Sequence, residues 1–133
     1  MAIKTRIIYS PNFDATKRKR QKIRFLVFHY TGMQRENEAI QRLTQIQSEV
    51  GTHYYIKKNG EIITMVPELY TAWHAGISQW GKYKLLNKYS IGIEISNPGH
   101  QFGYVNFSKK KHIYSIHIYR NFNCFVCNFF NIY

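Results

Sequence analysis

Two apolar runs in this chain each carry one side chain able to do chemistry. Phe25-Leu-Val-Phe-His29-Tyr-Thr-Gly32 delivers an imidazole, and Ser90-Ile-Gly-Ile-Glu94-Ile-Ser-Asn97 delivers a carboxylate. Both read as strands buried in a sheet, which fixes such groups while its mouth admits substrate, as metal-assisted hydrolysis needs. A carboxylate between Ile93 and Ile95 is costly to bury unless it is paired or metal-associated. The same burial would raise its pKa into the range useful to a general base. For His29, at the carboxyl end of its run, the plain alternative is a hydrogen-bonded core histidine. A catalytic zinc takes three protein ligands and keeps a fourth position open, and no second ligand in a comparable context follows Glu94.

The other histidines divide by context. His53 precedes Tyr54-Tyr55-Ile56 and reads as a packed structural residue. His74 follows Trp73 in a loop containing Gly76, where a Trp-His pair could floor a sugar or peptide cleft or simply anchor the loop. His100, His112 and His117 carry little signal for metal binding. Cys124 and Cys127 form a single C-x-x-C, which is too little for a zinc knuckle and lacks a thioredoxin-like setting.

The elements that must position these groups follow from hydropathy patterning. Ile23 to Tyr30 is nearly continuous in apolar residues, as a strand covered on both faces is. Ala39, Ile40, Leu43, Ile46 and Val50 recur at helical spacing, predicting a helix over 36–50 that stops at Gly51. Lys58-Asn59-Gly60 between His53–Lys57 and Glu61–Val66 predicts a hairpin. A loop with Trp73 to Gly81 precedes the strand around Glu94, which Asn97-Pro98-Gly99 ends. Together these predict an α/β single domain with a mixed central β-sheet flanked by helices, incomplete at the C-terminus. The expected division is a basic N-terminal segment over 1–24, a domain core over 25–108 and an atypical aromatic tail over 109–133. From Tyr104 onward the chain has no Gly, Pro, Ala, Leu, Asp or Glu, which suggests a frameshifted or eroded end that folds poorly.

With 133 residues and a formal net charge of +12, the chain fits one modest core and favours anionic partners. Much of the charge lies in Lys17-Arg-Lys-Arg-Gln-Lys22 with Arg24, read as a solvated basic loop ahead of a dedicated binding patch. A nucleic-acid binder ranks last, because it leaves His29 and Glu94 unexplained. No secretory signal or bilayer-spanning stretch is visible, so the expected location is cytoplasmic, with periplasmic or secreted as the alternative. A monomer is expected.

His29-Tyr-Thr-Gly32, Thr52-His-Tyr-Tyr-Ile56, Ala72-Trp-His-Ala-Gly76 and Ser90-Ile-Gly-Ile-Glu-Ile95 stand in the order and spacing of one family. With Ser10-Pro-Asn-Phe13 near the start, the chain resembles the zinc-dependent N-acetylmuramoyl-L-alanine amidases of the type-2 class over roughly residues 9 to 108. The resemblance implies hydrolysis of the amide joining the lactyl group of N-acetylmuramic acid to L-alanine, in peptidoglycan or a muropeptide. It implies zinc as cofactor, with His29 as first ligand, Glu94 as catalytic carboxylate, and Trp73, His74 and Asn97 bordering the cleft. The family's second and third ligands, a histidine and an aspartate farther along, have no counterpart here. Asp14 is the only aspartate, and no carboxylate follows Glu94. An inactive remnant or muropeptide-binding module is the alternative function.

Overall fold

The computed structural model describes residues 4–107 and the strand Phe125–Phe129. Ten strands and one α-helix organise these residues: β1 (Thr5–Ile7), β2 (Phe13–Asp14), β3 (Phe25–Tyr30), α1 (Glu36–Thr44), β4 (Tyr54–Ile56), β5 (Ile62–Thr64), β6 (Thr71–Ala72), β7 (Gln79–Trp80), β8 (Tyr83–Lys84), β9 (Ser90–Ile95) and β10 (Phe125–Phe129). Six of them form one sheet in the order β1-β5-β4-β9-β3-β10. Only β4 and β5 pair antiparallel, so the sheet is mixed as expected.

The two strands with the longest apolar runs take central places. All six residues of β9 are buried, as are five of the six in β3. Such strands have no solvated face and therefore no polar alternation. Side chains still alternate between faces. Leu26, Phe28, Ile91, Ile93 and Ile95 join Ile56 and Ile62 in one core layer. On the opposite face Phe25 and Val27 pack with Ala75 and Leu86, while Tyr55, Ile63 and Met65 meet Ala39 and Leu43 of α1. By the same alternation His29 and Glu94 belong to this second face.

The helix is shorter than its periodicity predicts. It ends at Thr44, where Gln45 turns extended (φ −86°, ψ 129°), and a 3-10 turn covers Ile46–Ser48. The cause lies 33 residues away in sequence: Ser10 Oγ donates to Leu43 O at 2.5 Å, and Asn12 Nδ2 donates to Gln45 O at 2.9 Å and Val50 O at 2.7 Å. Carbonyls that a longer helix would satisfy internally are satisfied from the N-terminal segment instead. Gly51 is therefore no helix stop. Glu49 takes the left-handed conformation (φ 54°), and Gly51 is glycine because a Cβ there would lie 2.5 Å from Asn12 O.

The Asn-Gly hairpin forms, with Ile56 opposite Ile62 and Gly60 at φ 87°. Its strands are a residue or more shorter at each end than read from sequence, although His53 N–H still reaches Gly92 O at 3.1 Å. Within the stretch read as a plain loop, Gln79–Trp80 form β7, which pairs with β8 just beyond it, and β6 just before it pairs with β2. Part of the aromatic tail enters the sheet as β10, parallel to β3 with Phe125 opposite Phe25. His112, His117 and Cys124 lie outside the described residues. No helix among the described residues is long and apolar enough to cross a membrane.

Candidate active site

β3 and β9 run parallel in a register that sets His29 directly beside Glu94. On the other side of Glu94, β4 supplies Tyr55 as its register partner. Both chemical groups sit near the carboxyl ends of central strands and are almost wholly buried, at 1% and 2% exposure. Glu94 Oε2 is buried with no hydrogen-bond partner among the described residues. Desolvation alone pushes its carboxyl up to about 8. A carboxyl so placed exchanges a proton near neutral pH, which suits general acid–base work.

Behind His29 lies a row of imidazoles. His29 Nε2 is 3.0 Å from His74 Nδ1, and His74 Nε2 is 3.0 Å from Ser90 Oγ, which donates to Leu86 O at 2.6 Å. The His74 ring stacks onto the backbone of Gly92, where a Cβ would come within 2.3 Å of His74 Cγ. Glycine at 92 is thus what lets the ring reach the sheet. The His74 backbone N–H is held by Asn87 Oδ1 at 3.1 Å. Burial, and then the neighbouring His29, His53 and Arg18, hold the His74 pKa well below the usual imidazole range.

His53 closes the row, its ring centroid 5.8 Å from that of His74. Gly92 N–H donates to its Nδ1 at 2.9 Å, so its proton rests on Nε2, which donates to Tyr70 O at 3.0 Å. Arg18 Nη2 lies 3.1 Å from that same Nε2, a contact between two donors that packs without bonding. Burial and then Arg18 lower the His53 pKa to about 3. His53 is thus the structural residue its context suggested. Arg18 itself is buried and donates to Glu68 O at 2.9 Å and Asn87 O at 2.8 Å, so one member of the basic run is a crosslink of the fold. Burial lowers its pKa to about 10, where it remains charged at neutral pH.

The remaining sequence candidates are placed as follows. Trp73 is half-buried and its Nε1–H donates to Asp14 Oδ1 at 2.8 Å. Asn97 is buried; its Nδ2 donates to Val105 O at 2.6 Å, and its Oδ1 accepts from Gly99 N–H at 3.1 Å. Those bonds shape the loop after β9, where Tyr30 Oη meets Tyr104 Oη at 3.2 Å and His100 Nδ1 at 3.4 Å. His74 has both ring nitrogens engaged within the chain. Sequence reasoning overlooked Ser90, Gly92 and Arg18. The first two were visible in principle, since Ser90, Gly92 and Glu94 alternate onto one face of a strand otherwise made of isoleucine.

His29 bonds through one ring nitrogen to a neighbouring group, as a metal-binding histidine does. Among the described residues, however, no group of three or more His, Cys, Asp or Glu could hold a metal ion, and Asp14 accepts from Trp73. The described donors do not fit a three-ligand zinc site.

The chain is 39% identical over 87 residues to the N-acetylmuramoyl-L-alanine amidase AmiD of Escherichia coli K12, covering 60% of this chain and 30% of AmiD. It is 46% identical over 46 residues to the 1,6-anhydro-N-acetylmuramyl-L-alanine amidase AmpD of the same organism, covering 35% of this chain and 25% of AmpD. Among solved structures it resembles AMPDH3 of Pseudomonas aeruginosa in complex with anhydromuramic pentapeptide, with a TM-score of 0.68 and 26% identity over 86% of this chain and 50% of that one. It also resembles E. coli AmiD in complex with the substrate anhydro-N-acetylmuramic acid-L-Ala-D-gamma-Glu-L-Lys, with a TM-score of 0.67 and 33% identity over 80% of this chain and 44% of that one. The chain thus spans a quarter to a half of the length of these relatives. Residues 19–119 match the Amidase_2 family, described as N-acetylmuramoyl-L-alanine amidase, and this chain belongs to that family.

Proposed function

We propose that the chain is an N-acetylmuramoyl-L-alanine amidase that cleaves the amide between the lactyl group of N-acetylmuramic acid and L-alanine in a muropeptide. The observation that carries the reading is the register pairing of His29 with Glu94, whose buried Oε2 has no partner among the described residues. The substrate class follows the complexes of the related AMPDH3 and AmiD structures with anhydromuramic peptides.

In this reading Glu94 acts as the general base. Its carboxylate takes a proton from the water that attacks the lactyl carbonyl carbon. It returns that proton to the alanine nitrogen as the carbon–nitrogen bond breaks, leaving a carboxylic acid and a free amine. The buried setting keeps the pKa close to the working pH, so neither transfer is steeply uphill. Trp73 offers an aromatic face to the muramyl ring or stem, and Asn97 holds the loop that borders the cleft. His29 is assigned to the zinc that the resemblance implies, and that zinc would need two further donors from beyond the described residues.

A second reading, muropeptide binding without cleavage, is favoured by that incomplete donor set. Incubating the chain with an anhydromuramyl tripeptide, with and without added zinc, separates the two. The amidase reading expects mass-spectrometric release of the stem peptide. Calorimetric binding with no release would establish the second.

A further inference from the structure

We propose that His74 is a positioning residue which, through Ser90 and the carbonyl of Leu86, sets the tautomer of His29 and so decides which ring nitrogen of His29 carries a lone pair. The argument starts at the end of the chain of bonds. Leu86 O can only accept, so at 2.6 Å it takes the Ser90 hydroxyl proton. Ser90 Oγ then has only lone pairs to offer, and His74 Nε2, at 3.0 Å, must be the donor. His74 is 2% exposed, and among the described residues neither of its ring nitrogens meets a carboxylate, so it is neutral and its Nδ1 is bare. That bare nitrogen lies 3.0 Å from His29 Nε2, which must donate to it. Neutral His29 therefore holds its lone pair on Nδ1.

The two bonds of the relay oppose a half-turn of the His74 ring, which would put Cδ2 and Cε1 where Nδ1 and Nε2 now meet His29 and Ser90. Gly92 leaves room for the imidazole only flat against β9, with three ring atoms 2.3 to 2.7 Å from where a Cβ would be. Asn87 Oδ1 fixes the loop that carries it, accepting from the backbone N–H of His74 at 3.1 Å and of Ala75 at 2.7 Å. The ring edge of His74 also packs against that of His29, with centroids 5.3 Å apart. Neither sequence spacing nor composition reveals the relay, because Leu86 contributes only its backbone. The importance given to the His29 lone pair rests on the amidase reading, whereas the tautomers themselves do not.

The test is long-range proton–nitrogen NMR of the histidine rings in the full chain labelled with nitrogen-15 histidine and free of added metal. His74 and His29 are both expected as the Nε2–H tautomer. In Ser90→Ala, both are expected to shift from one tautomer towards a mixture, while Ser90→Thr, which keeps the hydroxyl, restores the single form. A His29 protonated on Nδ1 in the wild type overturns the proposal. So does a Ser90→Ala chain that folds and keeps both tautomers unchanged, because a purely structural serine would leave them so. If Ser90→Ala fails to fold, the wild-type and Ser90→Thr spectra still decide. Absence of muropeptide cleavage would defeat the amidase reading and leave these spectra unaltered.

Discussion

Replacing Glu94 by Gln removes the one carboxyl that burial pushes furthest, and its effect on stability follows from linkage. The folded carboxyl titrates at about 8 and the unfolded one near the ordinary glutamate value of 4.5. Between those values the unfolded chain ionises while the folded chain holds its proton, so the contribution of Glu94 is fully present below the unfolded pKa. It is lost as pH rises towards 8. Each pKa unit is worth about 1.4 kcal/mol, so the whole shift amounts to about 5 kcal/mol, of which about 2.5 kcal/mol is lost between pH 5 and pH 7. At 2% exposure, solvent screening does little to reduce this. Glutamine does not titrate. Urea unfolding of both chains at pH 5, 6 and 7 therefore should show wild-type stability falling relative to Glu94→Gln by about 2.5 kcal/mol across the range. Other titrating groups, and any fixed cost of burying an amide, cancel in that difference. A gap that stays constant with pH would refute the reasoning, since it would mean that Glu94 is ionised in the fold as readily as in water.

Gly92→Ala places a Cβ 2.3 Å from His74 Cγ and should destabilise the fold by about 3 kcal/mol, read from its urea midpoint; a neutral outcome would contradict the packing of His74 on β9. Asn12→Ala strips the donors from Gln45 O and Val50 O and should cost about 2 kcal/mol in the same assay, with an unchanged midpoint contradicting the account of why α1 stops early. His53, with its pKa lowered to about 3, should show no titration of its ring proton shifts between pH 5 and 8, and a midpoint inside that range would refute its burial as a neutral ring.

The parts of the fold legible in the sequence were those whose signal is local. β3 and β9 announce themselves because a central parallel strand must be apolar throughout, and the β4–β5 hairpin because Gly60 supplies a positive φ between two β-rich runs. His29 and Glu94 stood out because each is a polar group in such a strand. Long-range partners were not legible. The apolar spacing through Ile46 and Val50 continues past Thr44, yet the helix ends there because Ser10 and Asn12 reach across to its carbonyls. Arg18 is one basic residue among several, and only the carbonyls of Glu68 and Asn87 make it a crosslink. His74 reads as a loop residue next to a tryptophan until Gly92 and Ser90 are brought beneath its ring.

The central claim is that Glu94, set beside His29, carries proton transfer in muropeptide amide hydrolysis. Its most direct test is the rate of stem-peptide release from an anhydromuramyl tripeptide by the zinc-supplemented wild-type chain and by Glu94→Gln, followed by mass spectrometry. The account predicts measurable release by the wild type and a loss of about 100-fold or more in the variant, the scale of a missing general base. Release at equal rates from both chains, or none from the wild type, would contradict it.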